Sequence, residues 1–257
     1  MRGIFQFLGT SASAGVPVIG CKCAVCTSDK SENKRFRPSG LLQIGGKSLL
    51  IDIGPDFRSQ ALAFQIDQID GLLLTHTHYD HIAGIDELRI FNIRKKGPFP
   101  CLLSKESFEE LQKRYYYFFH EGNSTKLDCQ ILEGDVGETQ FLGVPIKYCS
   151  FSQGGMKVNG FRLGDFAYIS DIQNFNDSIF DSLEGVRTLV LSSLRPEPSA
   201  FHFSFDQAVS FSKRVGANET WITHVGHFFA HDDLNALLPK EVRVAYDGLK
   251  LEFSCTN

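Results

Sequence analysis

The sequence of 257 residues has neither a long apolar run nor an excess of positive charge. No apolar run approaches the roughly 20 residues of a membrane helix, so we expect no membrane-spanning helix. Lys and Arg total 26 against 30 Asp and Glu, a net charge of −4. General nucleic-acid binders are usually basic, so a nucleic-acid partner is not expected. The first residues, Met1 to Leu8, are too short for a signal peptide and lack a small-residue cleavage site. We therefore expect a cytoplasmic protein.

Tryptophan is nearly absent, with one residue, whereas phenylalanine is abundant, with 23. Hydrophobic residues make up 42% of the chain, enough for a substantial core that aromatic rings are expected to fill. Sheet-based enzymes of this length are often a single unit, and the sequence shows no linker, repeat or low-complexity tract. We therefore predict one domain over residues 1–257.

Three histidines and one aspartate follow the apolar run Gly71–Leu74 almost directly. They are His76, His78, Asp80 and His81. Imidazole and carboxylate are the usual ligands of Zn, Mn or Fe at hydrolytic centres. In extended backbone, residues two apart point to the same side, so His76 and His78 can share one ion. Asp80 and His81 begin the next turn and can reach a second ion. The segment predicts a centre for one or two divalent ions.

Seven cysteines are an odd number, and three of them crowd together as Cys21, Cys23 and Cys26. Without an export signal, such a cluster indicates thiolate ligands before it indicates disulfides. Three thiolates at this spacing can occupy three corners of a tetrahedron and leave one corner open. The sequence predicts one structural zinc in this loop. Three free thiols or a redox site are the alternatives.

Apolar alternation predicts a strand-rich chain with helices between the strands. We expect Asp86 to cap a helix that ends at Ile93. We also expect a final hairpin of Val242–Ala245 and Lys250–Phe253 around Asp247-Gly248. The other predicted strands are Ile4–Leu8, Leu41–Ile44, Ser48–Ile53, Gly71–Leu74, Cys101–Leu103, Gln130–Leu132, Thr139–Phe141, Ile146–Cys149, Gly160–Leu163, Ala167–Ile169, Thr188–Leu191 and Thr220–Thr223, and the other helices are Phe57–Phe64, Phe108–Arg114 and Phe205–Val215.

Several apolar strands end in a residue that can do chemistry. The strand before His76 is one, and two later strands run into Asp171 and His224. Strands that end together at one edge of a sheet place these side chains in a common cleft, where sheet-based enzymes tend to bind ligands. For an isolated Asp an ordinary polar strand end is the better interpretation, but the joint pattern favours a functional site.

Together these residues resemble the metallo-β-lactamase superfamily, an α/β fold built as a four-layer αββα sandwich with a two-metal site. The resemblance covers essentially the whole chain. Within the superfamily, the chain is most similar to the branch of phosphoribosyl cyclic phosphodiesterases. Three segments carry this closer likeness: Gly9–Pro17 after the first strand, Gly20–Cys26 as a zinc loop, and Thr223–His227 with its paired histidines.

The resemblance implies a role for each matching residue. His76 and His78 would hold the first ion, and Asp171 would bridge to the second. His202, in the segment Ser199–Ser204, would be the general acid that protonates the departing alkoxide. The second ion would be held by Asp80, His81 and His224, and the structural zinc by Cys21, Cys23, Cys26 and His227.

The sequence departs from the family pattern at one ligand of the first ion. The family has a further histidine shortly before a Gly-Phe-Arg strand, here Gly160–Arg162, and the corresponding position falls near Gln153. A carboxamide is a neutral, weaker donor that suits hard ions such as Mn²⁺ or Mg²⁺. Three outcomes are open: Gln153 coordinates, water fills the gap, or Cys149 approaches from the neighbouring strand.

The sequence therefore predicts a metal-dependent phosphodiesterase that cleaves a small or cyclic, nucleotide-like phosphodiester with a metal-bound hydroxide. Asp80 and His202 are the residues on which turnover is expected to depend. Two alternatives stay open. A catalytically impaired metal-binding or cofactor-pathway carrier is favoured by the missing histidine, and a tRNA 3′-processing-type nuclease would usually need a basic, glycine-rich arm that is not evident. A homodimer is also an open expectation, and the basic stretch Lys34–Arg37 is expected either to hold substrate phosphate or to form a solvated loop.

Overall fold

Two seven-stranded β-sheets form the middle of the protein, and helices cover the outer face of each. The computed structural model describes residues 1–95, 97–120 and 126–255. Within these ranges no helix is both long enough and apolar enough to cross a bilayer. In chain order the strands are β1 Arg2–Gly9, β2 Ser39–Ile44, β3 Lys47–Ile51, β4 Gly71–Leu73, β5 Phe99–Leu103, β6 Leu127–Ile131, β7 Val136–Phe141, β8 Val144–Gln153, β9 Met156–Leu163, β10 Phe166–Ile169, β11 Thr188–Ser192, β12 Glu219–Thr223, β13 Val242–Val244 and β14 Lys250–Ser254.

Each sheet contains an antiparallel half and a parallel half. The first sheet has the order β14-β1-β2-β3-β4-β5-β6, and its strands β3 to β6 run parallel. The second has the order β13-β12-β11-β10-β9-β8-β7, and its strands β10 to β13 run parallel. The carboxyl ends of parallel neighbours share one edge of a sheet, which brings the residues that follow β3 and β4, and those that follow β10 and β12, to common edges.

Aromatic rings fill much of the space between the sheets. Phe5 of the first sheet lies 4.9 Å, centroid to centroid, from Phe166 of the second, and Phe166 lies 5.0 Å from Phe253. All three side chains are buried. The abundance of phenylalanine thus has a structural role, since large rings span the gap of about 10 Å between stacked sheets.

The helices bury one apolar face each and leave the opposite face to solvent. Helices α1 Phe57–Ala63, α2 Tyr79–Ile82, α3 Arg89–Lys95 and α4 Lys105–Arg114 cover the first sheet, and α5 Ile179–Ser182, α6 Phe205–Val215 and α7 His231–Leu237 cover the second. Helix α6 begins with a capping box of Ser204 and Gln207 and ends at Gly216, whose φ of 73° is the usual left-handed C-terminal conformation. The layer order is αββα, which confirms the predicted fold class.

Two local predictions are wrong. The last two strands do not form a hairpin, because β13 pairs in parallel with β12 whereas β14 crosses to the other sheet and pairs with β1. Asp86 does not cap a helix but lies within a 3-10 turn, Ile85–Leu88, that precedes α3.

Candidate metal centres

The ends of four strands deliver polar side chains to one place. The chain leaves β4 through His76 and His78 into the short helix α2. Asp52 directly follows β3, Asp171 comes two residues after the end of β10, and His224 directly follows β12. These last three residues have φ angles of 58°, 55° and 60°. Residues other than glycine seldom adopt this left-handed conformation, and where they do it often marks a functional site.

Two carboxylates and two imidazoles form the centre of the cluster. His81 Nε2 lies 3.2 Å from Asp171 Oδ2 and 3.5 Å from Asp80 Oδ2. His224 Nε2 lies 3.3 Å from the carboxylates of both Asp80 and Asp171. Asp171 therefore faces histidines on both of its oxygens, as a bridging ligand would. The structure brings together Asp80, His81 and His224, the three residues that the resemblance implies for the second ion.

The two histidines implied for the first ion also meet. His76 Nε2 lies 3.0 Å from His78 Nδ1, and His76 is grouped with His81 and Asp171 at distances that one ion can span. His76 is fully buried, whereas His78 is partly open to solvent. The first ion's side of the cluster is therefore the more accessible one.

The residues present fit divalent cations. His81 Nε2, which faces Asp80 and Asp171, is buried without a hydrogen-bond partner within the described residues. An unpaired buried polar atom is costly, and a metal ion is a partner that can satisfy it together with the neighbouring carboxylates. The donor set of imidazole nitrogens and carboxylate oxygens is the one that zinc, manganese and iron share.

Burial and neighbouring charges shift the pKa values of Asp171 and His81 in opposite directions. Burial would raise the pKa of Asp171, but the His224 and His81 rings hold it well below its usual range. Burial would lower the pKa of His81, but the carboxylates of Asp80, Asp52 and Asp171 raise it well above the ordinary histidine value. The carboxylates thus stabilise positive charge at the centre of the cluster, whether that charge is a proton or a metal ion.

Asp52 belongs to the candidate site but is not among the residues that the sequence predicts. It is fully buried and accepts hydrogen bonds from His81 Nδ1 at 2.7 Å and from Thr75 Oγ1 at 2.7 Å. Thr75 Oγ1 in turn lies 2.9 Å from His76 Nδ1 and can accept its proton. One carboxylate therefore fixes both rings with Nδ1 protonated and Nε2 free for an ion, which is the usual role of such a partner. Its position directly after the apolar strand β3 is the same signal that identified Asp171 and His224.

His202 lies at the edge of the cluster. Its Nδ1 is 3.2 Å from Asp171 Oδ1, and its ring stacks on His224 with centroids 5.0 Å apart. The side chain keeps 17% of its surface exposed, which makes it reachable from solvent. Ser199 Oγ accepts a hydrogen bond from the His202 backbone and holds the segment in place. The same position suits a proton donor to a bound substrate or a further metal ligand.

The cysteine loop forms a second, separate centre. His227 Nδ1 lies 3.4 Å from Cys21 Sγ, 3.4 Å from Cys23 Sγ and 3.3 Å from Cys26 Sγ. In a tetrahedral zinc site, bonds of about 2.3 Å to sulfur and about 2.0 Å to nitrogen put these atoms about 3.5 Å apart. The pKa of Cys23 is lowered to about 6. The main cause is a hydrogen bond from the Cys26 backbone amide, and the second is the hydrogen bond with the His227 side chain. The four residues fit a structural zinc ion.

The turn between His224 and His227 connects the two centres. Val225 bridges to Ser11, and the Ala12 amide donates to the Val225 carbonyl, so the start of the cysteine loop is bound to this turn. A zinc ion bound by His227 would therefore also restrain this turn and so help to position His224, three residues earlier.

The two arginines of the basic stretch Lys34–Arg37 are engaged in contacts within the protein, whereas Lys34 is exposed. Arg35 is buried and donates to Thr10 Oγ1 and to the Ala245 carbonyl. Arg37 pairs with Asp56 at 2.8 Å. Both guanidinium groups hold the long loop between β1 and β2, residues 10–38, against the body of the protein.

The fold and the two centres define a class of protein. Residues 47–225 match the family model of the β-lactamase superfamily domain. The chain belongs to the metallo-β-lactamase superfamily and is a hydrolase of that fold.

Three known proteins are similar to the chain. A crystal structure of a diphosphatase from the PhnP family is 34% identical, covers 98% of each chain and superposes with a TM-score of 0.92. The probable metallo-hydrolase YhfI of Bacillus subtilis is 24% identical over 91% of this chain and 94% of its own. An octanoyltransferase of Porphyromonas gingivalis is 30% identical over 95% of this chain, which spans only 50% of that protein's length.

Proposed function

We propose that the protein is a metal-dependent phosphodiesterase that hydrolyses a small or cyclic phosphodiester, with nucleotide-like compounds among the candidates. The observation that carries the proposal is the convergence of five buried residues, with the partly exposed His78 beside His76 and His202 at the accessible edge. The five are His76, Asp80, His81, Asp171 and His224. The 34% identity to a diphosphatase supports chemistry at phosphorus.

The chain's own residues would divide the work of the reaction. When bound, divalent ions supply a nucleophile from water and offset the charge of the phosphoryl group. Asp52 keeps His81 and His76 in the tautomer that leaves Nε2 free. Asp171 accepts from His202 Nδ1, so His202 Nε2 is the nitrogen that would carry a proton to the departing oxygen.

The proposal is tested by hydrolysis of an aryl phosphodiester, bis(p-nitrophenyl) phosphate, with Mn²⁺ or Zn²⁺ supplied. Asp80→Asn removes a charged ligand but keeps the side chain's size, and turnover should fall by at least about 10²-fold. Asp233→Asn, at an exposed position in α7, is the matched control and should keep full activity. Equal turnover in Asp80→Asn and the unmodified protein would contradict the proposal.

A second candidate is hydrolysis of a diphosphate rather than a diester. The 34% identical relative is a diphosphatase, which favours this reaction. A panel that pairs diesters with nucleoside diphosphates and other phosphoanhydrides, under one metal condition, separates the two by the ratio of their kcat/KM values.

The non-enzymatic alternative is a metal-binding carrier of the same fold. Gln153, near the position at which the family pattern has histidine, favours the carrier, and the placement of His202 and Asp171 favours the enzyme. Counting metal ions per chain while the same panel is assayed distinguishes them, since a carrier would bind ions without turnover. We expect the reaction to take place in the cytoplasm, where the thiolates of the cysteine loop stay reduced.

A further inference from the structure

The donors available to the two ions are unequal. Asp80, His81 and His224 offer one carboxylate and two imidazoles on one side of the bridging Asp171. His76 and His78 offer only two imidazoles on the other side. One side of the centre therefore has one protein ligand fewer, unless another side chain completes it.

Gln153 lies against the bridging Asp171 and is a candidate for that further ligand. It is the last residue of β8 and is only 2% exposed. Its Nε2 is 3.1 Å from Asp171 Oδ1 and 3.1 Å from each ring nitrogen of His202. Its Oε1 is buried and has no hydrogen-bond partner within the described residues. A buried carboxamide oxygen without a donor is costly, and a cation is a partner that would satisfy it.

The surrounding backbone holds Gln153 in this place. Gly154 and Gly155 form the turn to β9 with φ angles of 55° and 84°, and Ser152 exchanges two backbone hydrogen bonds with Asn174. The Phe201 ring covers the turn so closely that a Cβ at Gly154 would come within 2.7 Å of it.

Cys149 does not supply the missing ligand. It lies four residues earlier on β8, about 13 Å along the strand at the usual rise per residue. Its side chain is buried in the apolar layer between the second sheet and its helices, and this burial raises its pKa to about 12.

We propose that the carboxamide oxygen of Gln153 is a ligand of the ion that His76 and His78 hold, and that this neutral ligand makes that ion the more weakly bound of the two. The assignment rests on the two-ion centre of the proposed function but not on which ester is cleaved. A neutral oxygen donor also favours Mn²⁺ over Zn²⁺ on this side, because Mn²⁺ accepts such ligands more readily.

The test is titration of Mn²⁺ and Zn²⁺ into protein whose cysteine loop is filled with zinc and whose histidine centre has been stripped. Calorimetry gives the dissociation constants, and the exchange-coupled electron paramagnetic resonance signal of two Mn²⁺ ions reports when both sides are filled. Two binding events that differ by at least about tenfold are expected. Gln153→Ala should weaken only the weaker event by about 10–100-fold, and Gln153→His should strengthen it for Zn²⁺ by at least about tenfold.

Two further variants make the result decisive. Gln60 is also buried with an unpartnered Oε1 but bonds to the Arg37 carbonyl away from the histidines, so Gln60→Ala should leave both events unchanged. His202→Asn tests the competing ligand. Loss of the weaker event in His202→Asn but not in Gln153→Ala, or equal affinities for both ions in the unmodified protein, would overturn the assignment. Because no substrate is present, failure to hydrolyse phosphodiesters would contradict the proposed function and leave this assignment standing.

Discussion

Replacement of Asp52 by asparagine tests how the protein prepares its histidines for metal. Three donors converge on this fully buried carboxylate: the Thr75 amide at 2.8 Å on one oxygen, and Thr75 Oγ1 and His81 Nδ1, both at 2.7 Å, on the other. Asparagine has nearly the same shape but only one oxygen. Whichever way its amide is turned, its NH₂ group faces at least one of the donors.

Both orientations of the asparagine have a calculable cost. If the NH₂ group faces the Thr75 amide, a buried donor is left unpaired, which costs about 1–3 kcal/mol of unfolding free energy. If it faces His81 Nδ1, the ring must move its proton to Nε2, the nitrogen directed at Asp80 and Asp171. His81 is then no longer a ligand, and loss of such an orienting partner typically weakens metal binding about 10–100-fold.

The assay combines urea unfolding of the metal-stripped protein with calorimetric titration of Zn²⁺. Asp70→Asn is the control, since Asp70 is also largely buried and accepts from the Ser48 amide at 2.9 Å but lies outside the cluster. We expect both variants to lose stability and only Asp52→Asn to lose metal affinity. Unchanged zinc affinity in Asp52→Asn would refute the role assigned to Asp52.

Three further predictions follow from other parts of the molecule. His202→Gln should slow hydrolysis of an alkyl phosphodiester about 10²–10⁴-fold but that of a p-nitrophenyl ester much less, because a good leaving group needs no proton. Replacement of the exposed His120 by Gln is the control. An equal loss of rate for both esters in His202→Gln would contradict the acid role. Cys23→Ser should remove one zinc per chain by elemental analysis and lower the melting temperature, and an unchanged zinc count would show that the loop holds none. Burial raises the pKa of Asp247 to about 6, so its ionisation opposes folding and stability should fall as pH rises from about 4 to 6. Relative to Asp247→Asn, the unmodified protein should lose about 1 kcal/mol of unfolding free energy between pH 5 and 7, and parallel stability profiles would contradict this.

The layers of the fold and most of the metal cluster follow from local features of the sequence. An apolar strand that ends in a histidine or an aspartate is visible in the sequence, and the common edge of parallel strands brings such residues together. The same signal marks Asp52, but its role depends on a contact with His81, 29 residues later, that no local pattern in the sequence indicates.

The predicted final hairpin is wrong because β13 and β14 each pair with a strand that is distant in sequence. Asp247-Gly248 is a genuine turn, with Gly248 at a φ of 92°, but the strands beside it belong to different sheets. The Gly248 amide donates to Phe7, and the Asp247 carboxylate accepts from Thr10 and Phe36, all on the distant N-terminal segment. A turn signal is local, whereas the partner of each strand depends on contacts that span the chain.

Gln153 shows the limit of inference from a motif. Its sequence position indicated a missing ligand and left three outcomes open. The contacts of its carboxamide with Asp171 and His202, and the burial of Cys149 elsewhere, depend on how β8 ends beside the segment that carries His202. Such contacts between distant segments have no local sequence signal.

Metal-dependent turnover of a phosphodiester by the intact protein tests the central claim most directly. With Mn²⁺ or Zn²⁺ present, bis(p-nitrophenyl) phosphate should be hydrolysed, a chelator should abolish the activity, and restored metal should recover it. Asp171→Asn, which removes the charge that faces histidines on both sides, should lower kcat/KM by at least about 10²-fold. Hydrolysis that persists in the chelated protein or in Asp171→Asn would contradict a metal-dependent phosphodiesterase centred on this cluster.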